Sequence, residues 1–283
     1  MAGARSHAVS KKTDSTGFPH FLHALMWAFG GALLFALPTL MTMEMWSFSH
    51  HIHAGRFALF TVAVLAMLVG LSHYAGFEET FEIAEDVVDT FIAFLVGAVT
   101  AAVVLVVLAV FKDENWNGIV GAIGLQALPC SMGALLGRHL LSTGGEDSES
   151  RLQRNARYPG QLLLMTVGAM FLAFSLASTE EMVLLAYKMT AWHTLALMAL
   201  TLLLMHGFVG GHVYRERESQ GATHFSVFAR FTIVGYALAL SISAYVLWTF
   251  GRLDGLALEP AIQAVVVLGL PAAIGASASR MIL

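Results

Sequence analysis

The chain has 283 residues, 57% of them hydrophobic and 12% charged, with a mean hydropathy of +0.72; a soluble domain carries about 25% charged residues, so this composition excludes a soluble globular protein. Fifteen Lys and Arg against 19 Asp and Glu give a formal charge of −4, which leaves no basic face to neutralise nucleic-acid phosphates. The lone cysteine, Cys130, excludes an internal disulfide and lacks the spacing of a structural zinc site.

A hydrocarbon core about 30 Å thick needs roughly 20 apolar residues of helix. Eight such runs occur, from Leu22 to Trp46, Phe57 to Phe77, Val87 to Phe111, Gly118 to Leu141, Gln161 to Tyr187, Ala191 to Gly211, Phe228 to Phe250 and Ala261 to Leu283. None alternates with the period of a barrel strand, and backbone in lipid must satisfy its own hydrogen bonds, so the expected fold is an all-α membrane bundle of eight transmembrane helices. The first run is too long for a signal-peptide core and ends in no small-residue cleavage site, so it is expected to stay in the mature protein. Lys and Arg divide 11 to 4 in favour of the side that carries both termini. The positive-inside rule therefore predicts cytoplasmic N- and C-termini, with residues 1–21 a cytoplasmic tail and residues 142–160 a cytoplasmic linker.

The two sides of that linker resemble one another. Residues Gly31 to Met45 align without gaps on Gly168 to Met182 with six identities in 15 positions, and Leu128 to Arg138 align on Leu270 to Arg280 with five in 11. The offsets are 137 and 142 residues, and Ala54 and Gly70 fall on Ala191 and Gly207 at the first of these. The alignment predicts two tandem four-helix repeats, 22–141 and 161–283. An even number of spans per unit puts both copies in the same orientation, about an axis along the membrane normal, with equivalent residues at equal depth.

That equivalence gives the first candidate site. Glu44 and Glu181 match, each preceded two residues earlier by a hydroxyl, Thr42 or Thr179. Intramembrane acids usually face a bundle interior or water path, and acidic rings at a pore mouth select cations, here widened to four carboxylates if the chain forms a homo-oligomeric dimer. The plainer reading is that both end their helices among lipid headgroups. In the loop after the first span, His50, His51 and His53 follow Met41, Met43 and Met45. Imidazole and thioether ligands suit soft or borderline metals, though a solvated loop beside packed methionines is the alternative.

On the terminal side, Glu78, Glu82, Glu85 and Asp89 share one helical stripe, with Asp86 beside them. Such a stripe must be answered by cations or must concentrate them. Asp89 with Arg230 is the expected inter-repeat ion pair, and an acidic vestibule including Asp86 and Asp89 is compatible with it. Pro129 and Pro271 occupy matching points in the fourth and eighth spans, where proline kinks a helix and either packs closely among small residues or frees carbonyls for an ion. No nucleotide, hydrolase or zinc-protease motif occurs, no lysine lies within a span to hold retinal, and no histidines face one another as haem would require. An enzyme is therefore not expected, nor a cofactor.

The stretch Phe77 to Thr90, FEETFEIAEDVVDT, followed by the Leu128-Pro129 helix, resembles a family of bacterial integral membrane proteins known as a domain of unknown function. The resemblance covers nearly the whole chain and implies a bacterial inner-membrane address, without supplying an activity or site residues. The functional expectation from the residues is a cation channel or transporter whose path runs near the junction of the repeats, with Glu44, Glu181, Thr42, Thr179, Asp86 and Asp89 along it and the bilayer and an inorganic cation as partners. The alternative is a membrane-embedded binding or assembly protein without transport activity.

Overall fold

A computed structural model of the chain describes residues 17–75, 83–112, 114–141, 158–217 and 228–282. The described residues are helical, in the order α1 (Gly17–Leu40), α2 (Met43–His51), α3 (Ala54–Ala75), α4 (Ile83–Val107), α5 (Trp116–Leu141), α6 (Tyr158–Ala177), α7 (Glu181–Lys188), α8 (Ala191–Arg217), a π-helical turn (Phe228–Ile233) leading into α9 (Val234–Thr249), and α10 (Leu258–Ile282). Eight of these are long and apolar enough to cross a membrane. Each half thus contributes one long helix, one short helix and three further long helices. We call the end where α1 starts and α10 finishes the terminal end, and the other the far end.

The first and fifth spans are shorter than hydropathy alone predicts. The run expected to continue from Leu22 to Trp46 stops at Leu40, and the run from Gln161 to Tyr187 stops at Ala177; the remainder forms α2 and α7. Pro38 weakens the last turn of α1, and Thr42 adopts an extended conformation before α2 begins. The orphan carbonyls left by this break are met by side chains. Thr42 Oγ1 donates to Pro38 O, Thr39 Oγ1 to Ala36 O at 2.9 Å, and the Trp46 indole to Leu40 O at 2.9 Å. At the end of α6, Thr179 Oγ1 donates to Leu176 O at 2.8 Å and the Arg252 guanidinium to Ser178 O.

Packing follows the same scheme in both halves. In the first, α5 is covered by α1, α2, α3 and α4; in the second, α10 is covered by α6, α7, α8 and α9. Accordingly α5 is buried over 72% of its span and α10 over 61%, while the peripheral α8 reaches 17%. Lipid gives helices no hydrophobic reason to associate, so close approach and dispersion must hold them. That approach is closest where a Cβ on Gly31 would land on the Gly133 carbonyl and the Gly137 Cα, and one on Gly168 would land on the Gly275 carbonyl. Gly168 and Gly275 are the residues that align with Gly31 and Gly133, so equivalent positions make equivalent crossings. The turns after α4 and α9 also match. Ala109 (φ 56°) and Gly251 (φ 69°) take the left-handed position, while Val110 N reaches Leu105 O at 3.0 Å and Arg252 N reaches Leu247 O at 2.9 Å, closing both helices with a Schellman turn.

The halves meet where α3 and α5 pack on α6, with α3 also touching α9. Aromatic rings fill this junction. Phe60 stacks on Phe174 (centroids 5.5 Å apart, 10° between planes), Phe48 lies 4.8 Å from Phe250, and Phe35 lies 5.2 Å from Phe171. At the far end Arg56 Nη1 donates to Trp248 O at 3.0 Å and pairs with Asp254 at 2.7 Å, its guanidinium lying over the Trp248 ring at 4.9 Å. Removing three partners at once, Arg56→Met is expected to cost about 1–2 kcal/mol. Asp254→Asn, which alters only a well-exposed carboxylate, should cost less than about 1 kcal/mol. Thermal unfolding of the two variants in detergent checks the order.

Candidate functional site

Buried ionisable groups within spans are the first place to look for chemistry in a membrane protein, because their charge is costly there. Asp86 is such a group. It lies in the first turn of α4, inside the span Ala84–Val107, and is 1% exposed. A carboxylate at this position is favoured by the positive end of the helix dipole. Its Oδ2 is 2.9 Å from Nδ1 of His73, near the end of α3. The imidazole is 55% exposed, so the pair joins a buried carboxylate to an accessible titratable ring. Ser72, the neighbour of His73, is buried with a hydroxyl that has no hydrogen-bond partner, and Thr90 donates to the Asp86 carbonyl at 2.9 Å. The site therefore joins a buried carboxylate to an imidazole at the terminal end of the first half.

Asp86 was expected here, but His73 was not expected as its partner. The available signal was positional: His73 precedes Asp86 by 13 residues, one before and one after the α3 to α4 connection, so antiparallel neighbours bring them level. Asp89, one turn further along α4, is half-buried. Its expected pairing with Arg230 concerns a side chain outside those described, and Glu78 and Glu82 of the acidic stripe also lie outside them.

Glu44 and Glu181 each lie in the first turn of a short far-end helix, α2 or α7, beyond the spanning segments that were expected to contain them. Both stabilise those helix N-termini by charge. Glu44 is half-buried and Glu181 exposed. α2 packs on α5 and α7 on α10, while Phe48 of α2 also reaches Phe250 in the other half. Thr42 and Thr179 direct their hydroxyl protons at the ends of α1 and α6, so only their lone pairs remain for other partners.

The three histidines expected in a loop, of which His50 and His51 instead form the last turn of α2, point to three different tasks. His50 Nε2 is 2.8 Å from Glu114 and its Nδ1 is 3.1 Å from Ser49 Oγ; His51 Nδ1 donates to Ser47 O at 3.0 Å; His53 Nδ1 accepts from Gly55 N at 3.2 Å. Among the described residues no group of three or more His, Cys, Asp or Glu side chains is placed to hold a metal ion. Pro129 and Pro271 lie within α5 and α10, and both helices continue across them. Near Pro129, Gln126 Nε2 donates to Thr39 O at 2.7 Å, tying α5 to the end of α1.

No curated protein and no solved structure matches the chain. A family model does: that of the DUF2391 integral membrane proteins, over residues 24–283. With the match covering almost the entire length, and eight helices able to cross a bilayer, the chain belongs to the DUF2391 family of multi-pass integral membrane proteins.

Proposed function

We propose that the protein moves protons or small inorganic cations across the bacterial inner membrane, with Asp86 as the ion-binding group and His73 as its link to solvent. The observation that carries this reading is a carboxylate 1% exposed within a span, 2.9 Å from a half-exposed imidazole. A buried carboxylate in lipid is stable when protonated, when paired with an imidazolium, or when neutralised by a bound cation, and exchange among those states is the elementary step of ion transfer. The excess of Lys and Arg on the terminal side supports cytoplasmic termini and hence a cytoplasmic location for Asp86 and His73. Glu44 and Glu181 then lie on the outer side, one per half, where they attract cations without forming a single site. Rings at Phe60, Phe174, Phe48 and Phe250 occupy the junction between halves, which favours a route through the first half over one between them. Equivalent helix orders, crossings and turns in the two halves support a tandem duplication as the origin of the fold.

Purified protein in liposomes loaded with a pH-sensitive dye, and challenged in turn with H⁺, Na⁺ and K⁺ gradients, tests this. Wild type is expected to dissipate at least one gradient. Asp86→Asn is expected to slow that flux about tenfold or more, equivalent to roughly 1.4 kcal/mol or more of lost binding or barrier stabilisation. Glu44→Gln combined with Glu181→Gln should reduce it less. Wild-type flux in Asp86→Asn would remove Asp86 from the mechanism, and absence of flux for all three ions would overturn the transport reading.

A further inference from the structure

We infer that the open face of α8 is a docking surface for a second copy of this chain, received on the partner's α1. The inference starts from the junction already described. In that junction α3 of the first half packs on α6 of the second. Under the sequence alignment, α3 corresponds to α8 and α6 corresponds to α1, so a two-fold arrangement of the halves would also bring α8 against α1. Among the described residues no junction of comparable extent joins α8 to α1 within the chain. The arrangement is therefore head-to-tail, and one socket and one plug are left over.

Burial shows which residues are left uncovered. Some positions are buried in both α3 and α8: Val64 and its counterpart Thr201, and Leu68 and its counterpart Met205. Other positions that α3 buries differ, among them Phe60, whose ring lies on Phe174 of the other half. Met67 is 7% exposed but Leu204 is 38%, Leu71 is fully buried but Phe208 is 43% exposed, and Phe60 is fully buried while Leu197 is half-exposed. Gly70 faces Leu163, whereas a Cβ on its counterpart Gly207 would meet nothing within 4 Å. The receiving helices show the same contrast: Phe174 is 1% exposed and its counterpart Leu37 is 38%, while Met26, the counterpart of Leu163, is 65% exposed. A surface that is an interface once in each chain thus recurs uncovered, together with its complement.

Docking α8 on the partner's α1 in both directions gives a two-fold dimer in which intrachain and interchain junctions alternate. Gly207 would receive Met26 of the partner subunit as Gly70 receives Leu163. The expected result is a disulfide-linked dimer when Met26→Cys and Gly207→Cys are combined in one chain and oxidised in native membranes, with little product from Val62→Cys, an exposed position of α3. Gly207→Trp is expected to convert the dimer to monomer by light scattering in mild detergent while leaving the unfolding temperature within about 2 °C of wild type, since no neighbour within the chain is displaced. A monomeric wild type, or a Met26/Gly207 pair that yields no more cross-link than Val62→Cys, would assign this face to lipid and overturn the inference.

Discussion

Gly275→Leu is expected to destabilise the second half by about 3 kcal/mol or more, the upper range for overpacking, because the new side chain meets backbone with no rotamer to escape into. A Cβ at this position falls on the carbonyl of Gly168 and lies 3.1 Å from Leu172 Cγ. To admit a leucine, α6 and α10 must separate, and separation releases the alanines that pack beside the crossing, Ala169, Ala173, Ala272 and Ala276, all of them essentially buried. Water cannot drive these helices back together inside a bilayer, so the dispersion lost is not recovered elsewhere. Gly133→Leu should act similarly on α1 and α5, where Gly31 O and Phe35 Cβ stand in the way. Gly207→Leu supplies the control, having open space at the same residue type. Thermal unfolding in a single detergent reads all three; a Gly275→Leu protein as stable as Gly207→Leu would show that the crossing tolerates expansion.

The sequence carried the number of spans because a bilayer imposes a length on every crossing, and runs such as residues 91–107 satisfy it almost without polar interruption. It did not carry the breaks at Thr42 and Ser178. Met43 to Trp46 reads as the tail of the first apolar run, and only an extended residue after a weakened last turn separates α2 from α1. Glu44 and Glu181 align in the sequence yet belong to separate short helices packed on separate partners, since an alignment says nothing of proximity. Asp86 was legible as an acid at the edge of a span. His73 as its partner was not, because hydrogen bonding between α3 and α4 depends on how the hairpin rotates its helices. Arg56 and Arg252 were visible only as charges to be counted for orientation. Their work at the far end, over the Trp248 and Phe48 rings, depends on which loops the junction brings together.

Phe60→Ala is expected to cost about 3–5 kcal/mol, the range for truncating a fully buried phenylalanine, and to do so mainly by loosening one half from the other. Phe60 contributes nothing to the glycine crossings; its ring lies against Phe174 on α6 and 5.8 Å from Tyr245 on α9, both across the junction. Phe174→Ala should cost a similar amount, since that ring also lies 5.4 Å from Phe250. The double variant should cost less than the sum. Each single change already forfeits the stacked contact, which is worth about 0.5–1.5 kcal/mol beyond buried area, and one enlarged cavity replaces two. Equilibrium unfolding of the four proteins in mixed micelles completes the cycle. A sum equal to the singles would mean that the rings contribute independently and that the junction is held by helix contacts around them. A shortfall near one kcal/mol would locate the cohesion of the two halves in this aromatic pair, leaving α1 with α5 and α6 with α10 as units whose internal packing survives its loss.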